Sequence, residues 1–317
     1  MAVIQQRETG LTLQDQLLQF LVSGIIVGSI YALIALGFVV IHNVTGIVNF
    51  AQGEFAVYGG LVTIAVSQRV SLLSGNVQLN LDWPLALAGV VGVALAVGLG
   101  LLLYRVGIQP ARQASALSMI IITIGAAFGL RGVALLVWGT DPYRLPAFTE
   151  GAPLKLWGAT LTRQSLWVIG VTVVLLVGLY LFFNYTLLGK ALQACAANPT
   201  AARLMGVNTY RMALLAFGLS AATSAIAGMV ITPITFMTYD RGLLLSLKGF
   251  VAATMGGISS LPGAVIGGLL LGIVESFAAG LISSGYKDAV AFMVLFIVLA
   301  LRLGGLLKGK TPEQAGL

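Results

Sequence analysis

Two apolar runs, LWVIGVTVVLLVGLYLFF (Leu166–Phe183) and MALLAFGLSAATSAIAGMVI (Met212–Ile231), enclose the polar stretch GKALQACAANPTAARLMGVN (Gly189–Asn208). Each run approaches the ~20 residues that a helix needs to cross a hydrocarbon core. The stretch between them carries its own helix punctuation. Asn198 suits an N-cap, Pro199 the first helical position, and Gly206 the stop just past the end. Between these marks fits a helix of about seven residues, too short to hold itself together in water. Ala201, Leu204 and Met205 fall at i, i+3 and i+4 and share one face. Either the segment is a structured connection between spans, or that face lies against something else.

Composition sets the fold class. Of 317 residues, 58% are hydrophobic and only 9% are charged, and the mean hydropathy is +1.00. A soluble domain carries about 25% charged residues. Apolar runs fall at about 17–41, 53–69, 84–105, 115–138, 165–185, 210–231, 242–257, 263–283 and 287–305. The chain therefore reads as an all-α polytopic membrane protein with eight or nine transmembrane helices, some of them short or interrupted. The alternating short segments of a membrane barrel are absent. The 40 glycines predict close, irregular helix packing. The run after the N-terminal tail exceeds a signal-peptide core and reads as a retained span.

The net charge of +7 fits basic loops beside a bilayer, and no Lys/Arg cluster is dense enough to follow nucleic-acid phosphates. Lysines and arginines divide eight against seven between the two sides, so the positive-inside rule does not settle orientation. The Gly189–Asn208 stretch and the C-terminal tail are placed in the cytoplasm. On the other side, Pro142, Pro146 and Pro153 preclude a continuous helix over 139–164, with Tyr143, Phe148 and Trp157 adding interfacial bulk. This loop is read either as a lid on the headgroups or as a docking surface for a soluble partner. The lone cysteine, Cys195, excludes an internal disulfide or thiolate cluster and reads as a packing residue.

Two short stretches resemble each other. Asn49–Glu54 leads through Phe55–Tyr58 to Gly59-Gly60, and Ser246–Gly249 leads through Phe250–Met255 to Gly256-Gly257. Short, glycine-interrupted segments at matching places mark the repeats of a transporter, so the chain reads as two weakly repeated halves. Glu54 and Lys248 hold corresponding places with opposite charges and are expected to pair, unless both snorkel to the surface. Arg131 and Glu275 are further charges within spans, and each is a functional candidate or a structural pair. The candidate polar passage comprises Asn49, Gln52, Glu54, Tyr58, Lys248 and Glu275, with Tyr31, Asn43 and Thr45 near it. His42 reads as an interfacial or capping residue, and without a second histidine it makes no metal site. No phosphate loop, dinucleotide fingerprint, HExxH or GxSxG motif is present, so nothing indicates catalysis, a cofactor or a metal on this chain.

Three stretches together resemble a known family: YALIALGFVVIHNVTGIVNFAQGE (Tyr31–Glu54), GKALQACAANPTAARLMGVNTYRM (Gly189–Met212) and KGFVAATMGGISSLPGAVIGGLLLGIVES (Lys248–Ser276). The chain resembles the permease subunit of branched-chain amino acid ABC importers, the first of the two permeases such systems carry. Urea and amide importer permeases are close relatives. The resemblance implies one permease domain over residues 1–317 in a bacterial inner membrane, with the C-terminus in the cytoplasm. It implies a cytoplasmic coupling segment at about 186–209, in which Asn198, Pro199, Ala201, Ala202, Arg203, Leu204, Met205 and Gly206 meet an ATPase. It also implies a second related permease, two ATPase subunits that carry the ATP and Mg, and an extracytoplasmic solute-binding protein facing 139–164 and 232–241. Substrate selection would then rest mostly with that binding protein. The rival reading is an ion-coupled secondary transporter, which would need no docking helix.

Overall fold

A computed structural model describes residues 13–73, 77–111, 114–156 and 159–303. Trp157 and the C-terminal tail lie outside them. The nine apolar runs all form helices. They are α1 (Leu13–Thr45), α2 (Gln52–Ser67), α3 (Leu85–Leu102, extended by a π-helical turn, Leu103–Ile108), α4 (Ala116–Trp138), α5 (Arg163–Tyr185), α8 (Thr209–Ile231), α9 (Arg241–Gly256), α10 (Leu261–Leu281) and α11 (Lys287–Leu303). The polar stretch holds two more, α6 (Leu187–Ala197) and α7 (Pro199–Leu204). Six helices are long and apolar enough to cross a membrane, and the chain is a multi-pass membrane protein. By contrast, α2 and α9 have 16 residues each. At 1.5 Å per residue each reaches ~24 Å, short of a ~30 Å hydrocarbon core.

The helices gather between two ends. At one end, the Asn43 amide donates to the Ser259 carbonyl at 3.1 Å, and the α1 terminus, α6 and the α9–α10 connection enclose a cavity of about 820 Å³. At the opposite end lie two antiparallel hairpins, β1–β2 (Val70–Leu72 with Val77–Leu79) and β3–β4 (Leu154–Leu156 with Ala159–Leu161). The proline-rich loop forms no helix among its described residues. Tyr143 instead exchanges backbone hydrogen bonds with Met237 at 3.0 and 2.8 Å, and the Arg144 guanidinium donates to the Pro233 carbonyl at 3.0 Å. The loops after α4 and α8 are thereby tied together.

Close backbone contact organises the centre. Gly24 and Gly28 of α1 face Gly268 and Gly272 of α10, and a Cβ at Gly28 would meet the Leu269 backbone at 2.7 Å. Gly228 of α8 lies against the Ala56 backbone of α2 in the same way. Small residues hold helices together where lipid offers no hydrophobic driving force between them. The result is a dense set of α1, α2, α8, α9 and α10. Around it, α4 and α5 turn most of their apolar side chains outward, with Ile121, Phe128, Leu136, Val174 and Tyr185 all exposed.

Candidate functional site

The two half-length helices meet inside the bundle. The Gln52 side chain donates to the Ser220 carbonyl at 3.1 Å and to Ser224 Oγ, and it accepts from Ser220 Oγ at 2.7 Å. Ser220 is the middle residue of α8, so α2 begins near mid-depth rather than at a surface. The start of α9 is close by. Ser246 Oγ accepts from the Gly53 amide at 2.6 Å and donates to the Phe50 carbonyl at 2.8 Å. From this meeting point α2 runs toward the hairpin end and α9 toward the α6–α7 end. Their N-termini, each with a partial positive charge from unsatisfied amides, converge on one region.

Glu54 lies there, in the first turn of α2. It is 1% exposed, and its Oε2 has no hydrogen-bond partner. Its carboxyl group packs directly on Gly242, where any side chain would displace it. Beside it is a cavity of about 10 Å³ lined by Glu54, Phe50, Phe128, Arg131 and Leu243. Arg131 places its guanidinium over the Tyr239 ring, 5.4 Å from the centroid. Asn49 is also fully buried. Its Oδ1 accepts from the Ala51 amide at 3.1 Å, and its Nδ2 has no partner. Tyr58 is packed between α2 and α4: its hydroxyl donates to the Leu130 carbonyl at 2.8 Å and its ring meets Trp138 edge-on.

The expected pairing of Glu54 with Lys248 does not occur. Lys248 Nζ contacts Glu275 Oε1 and Asp288 Oδ1, each at 2.7 Å, and donates to the Tyr31 hydroxyl at 3.1 Å. Lys287 Nζ reaches the same Glu275 oxygen at 3.3 Å. The reason is helical phase. Glu54 faces Gly242, six residues before Lys248, so the two α9 positions point to different sides of the helix. The sequence reading had isolated Glu275 and Lys248 but missed Asp288, which begins a distant span, and Lys287 beside it. It also missed Ser220 and Ser224, whose four-residue spacing inside an apolar run was the available signal. Next to the Lys248 cluster opens a cavity of about 260 Å³, bordered by Tyr31, Arg241, Leu245 and Asp288.

At the other end, α6 is a helix that the polar stretch did not reveal. It buries Gly189, Leu192 and Cys195, and Cys195 is indeed a packing residue. Burial pushes its thiol pKa up, against the opposing pull of the Arg203 charge. Six-residue α7 follows with the expected caps. Asn198 Oδ1 accepts from the Thr200 and Ala201 amides at 3.0 and 2.9 Å. Gly206 adopts φ +85°, and the Val207 amide donates to the Ala202 carbonyl at 2.9 Å, a Schellman closure. Ala202 is the buried side; Leu204 and Met205 are each 84% exposed.

The chain as a whole is similar to known proteins. Residues 20–299 match the family described as "Branched-chain amino acid transport system / permease component". The chain belongs to this family. The permease is 33% identical over 303 residues to the high-affinity branched-chain amino acid transport system permease protein LivH of Escherichia coli, a match covering 94% of the chain and 97% of the relative. With BraD of Pseudomonas aeruginosa, a permease of the same description, it shares 33% identity over 302 residues, at the same coverages. It is also 26% identical to the fructose import permease FruF of Bifidobacterium longum, across 85% of the chain and 73% of the relative.

Proposed function

We propose that this chain is the transmembrane permease of an ATP-driven importer for branched-chain or other neutral and polar amino acids, with urea and short amides as further candidates. The observation that carries the proposal is the likeness to LivH along almost the whole of both chains. On this reading residues 1–317 act as one permease domain in a bacterial inner membrane, with α6, α7 and the C-terminus in the cytoplasm. ATP and Mg reside on two partner ATPase subunits, and the chain itself holds no cofactor and performs no catalysis. A second, related permease completes the passage, and a solute-binding protein docks at the hairpin end, on 139–164 and 232–241.

The coupling role falls to α7. Two large apolar side chains on a capped polar helix have no partner within the described residues, and a groove in an ATPase would cover them. Purification of the permease from its native membrane tests this. A P-loop ATPase should accompany it, and substrate uptake should cease on ATP depletion. ATP-independent uptake without such a companion overturns the proposal. Leu204→Asp and Met205→Asp should each release the ATPase while the permease stays in the membrane. Loss of membrane insertion instead would make α7 part of the core.

A further inference from the structure

Three features of the Glu54 region belong together. The carboxyl group is buried at mid-depth with one oxygen unpartnered. Arg131 borders the same small cavity and spends its charge on an aromatic face, without a salt bridge among the described residues. The walls between the two charges are apolar, from Phe50, Phe128 and Leu243. A negative group, a positive group and an apolar lining are complementary to an α-amino acid zwitterion with an aliphatic side chain. The Lys248 cluster differs in its cations: Glu275 Oε2 also lacks a hydrogen-bond partner, but two lysines contact its Oε1 and one of them also contacts Asp288.

We propose that Glu54 and Arg131 form the substrate-selecting constriction of the passage, Glu54 receiving the α-ammonium group and Arg131 the α-carboxylate. The inference rests on the importer reading and names the chemistry at its narrowest point. At about 10 Å³ the cavity holds about one water molecule, so the constriction is closed to a solute here. Opening it requires displacement of α4, which carries Arg131 and Phe128. That helix is the least buried of the six long spans, with 17% of its most apolar window buried, and few packed neighbours resist its movement. Two helix N-termini lower the cost of burying this carboxylate but leave it without a full countercharge in contact, and a substrate ammonium offsets the remaining cost during passage.

The test uses the complete importer, reconstituted in liposomes with its ATPases, second permease and binding protein, and radiolabelled L-leucine as probe. Glu54→Gln and Arg131→Gln are each expected to lower leucine uptake at least tenfold. Assembly and ATP hydrolysis stimulated by loaded binding protein should persist, and Glu54→Asp should restore part of the uptake. The double variant should be no better than either single one. Recovery of uptake in the double variant would show a pair that merely holds α4 in place, and overturn the proposal. Uptake within twofold of wild type in both single variants would also overturn it, leaving the importer reading intact. If a single variant does not assemble, Glu54→Asp and Arg131→Lys decide in the same liposomes: leucine uptake lowered severalfold with assembly and stimulated ATP hydrolysis intact supports the site, and uptake within twofold of wild type refutes it. Failure of the wild-type importer to move any amino acid, urea or short amide would instead refute the importer reading itself.

Discussion

Glu54 and Glu275 are both buried carboxylates among apolar helices, but the chain surrounds them differently. Glu275 Oε1 lies within reach of two lysines, and one of those lysines is shared with Asp288 and Tyr31, joining α1, α9, α10 and α11 in one cluster. Each glutamate keeps its Oε2 without a hydrogen-bond partner, but Glu54 has only two helix N-termini and an arginine stacked on Tyr239 near it, with no cation in salt-bridge contact among the described residues. A carboxylate in contact with two lysines holds helices together; one with no cation in contact is available to something that arrives. The first arrangement suits architecture and the second suits passage of a charged solute.

The largest test of this contrast is Lys248→Met. It leaves Glu275 buried with only Lys287 near it, and removing one partner of a buried pair costs about 3–5 kcal/mol. Loss of the monodisperse peak in detergent chromatography is expected. Adding Glu275→Leu should recover most of that stability, because an apolar replacement of a buried pair is often neutral. Glu54→Gln should act in the opposite sense and leave thermal unfolding unchanged or raise it by up to about 1 kcal/mol, since no partner is lost. Destabilisation there beyond about 2 kcal/mol would make Glu54 a second structural charge and erase the distinction. Smallest of all, Asp288→Asn should cost under about 1 kcal/mol, because that carboxylate is half-exposed and solvent screens it.

Most of the architecture was legible before any coordinates. All nine apolar runs became helices, because length and hydropathy decide span formation locally. The likeness of Asn49–Gly60 to Ser246–Gly257 marked the two half-length helices. The short helix after Asn198 was readable because its caps are adjacent in sequence. Partner choice was not readable. Whether Lys248 meets Glu54 or Glu275 depends on which side of α9 faces which neighbour, and Asp288 approaches from 40 positions away. Helix α6 escaped for another reason. Its GKALQACAA core is too short and too polar to stand out, and its amphipathic face makes sense only once Leu192 and Cys195 have a surface to cover.

The caps on α7 bear on how fast a partner can be captured. Asn198 and the Gly206 turn shape this helix using atoms of its own segment, so its backbone is ordered before any encounter. A surface that must fold on contact gives up several kcal/mol of ordering entropy at that moment, typically about 2–5 kcal/mol. Here the exposed pair Leu204 and Met205 gives up little more than its own rotamer freedom. Under the proposed coupling role, association with a partner would be limited by orientation and diffusion rather than by folding.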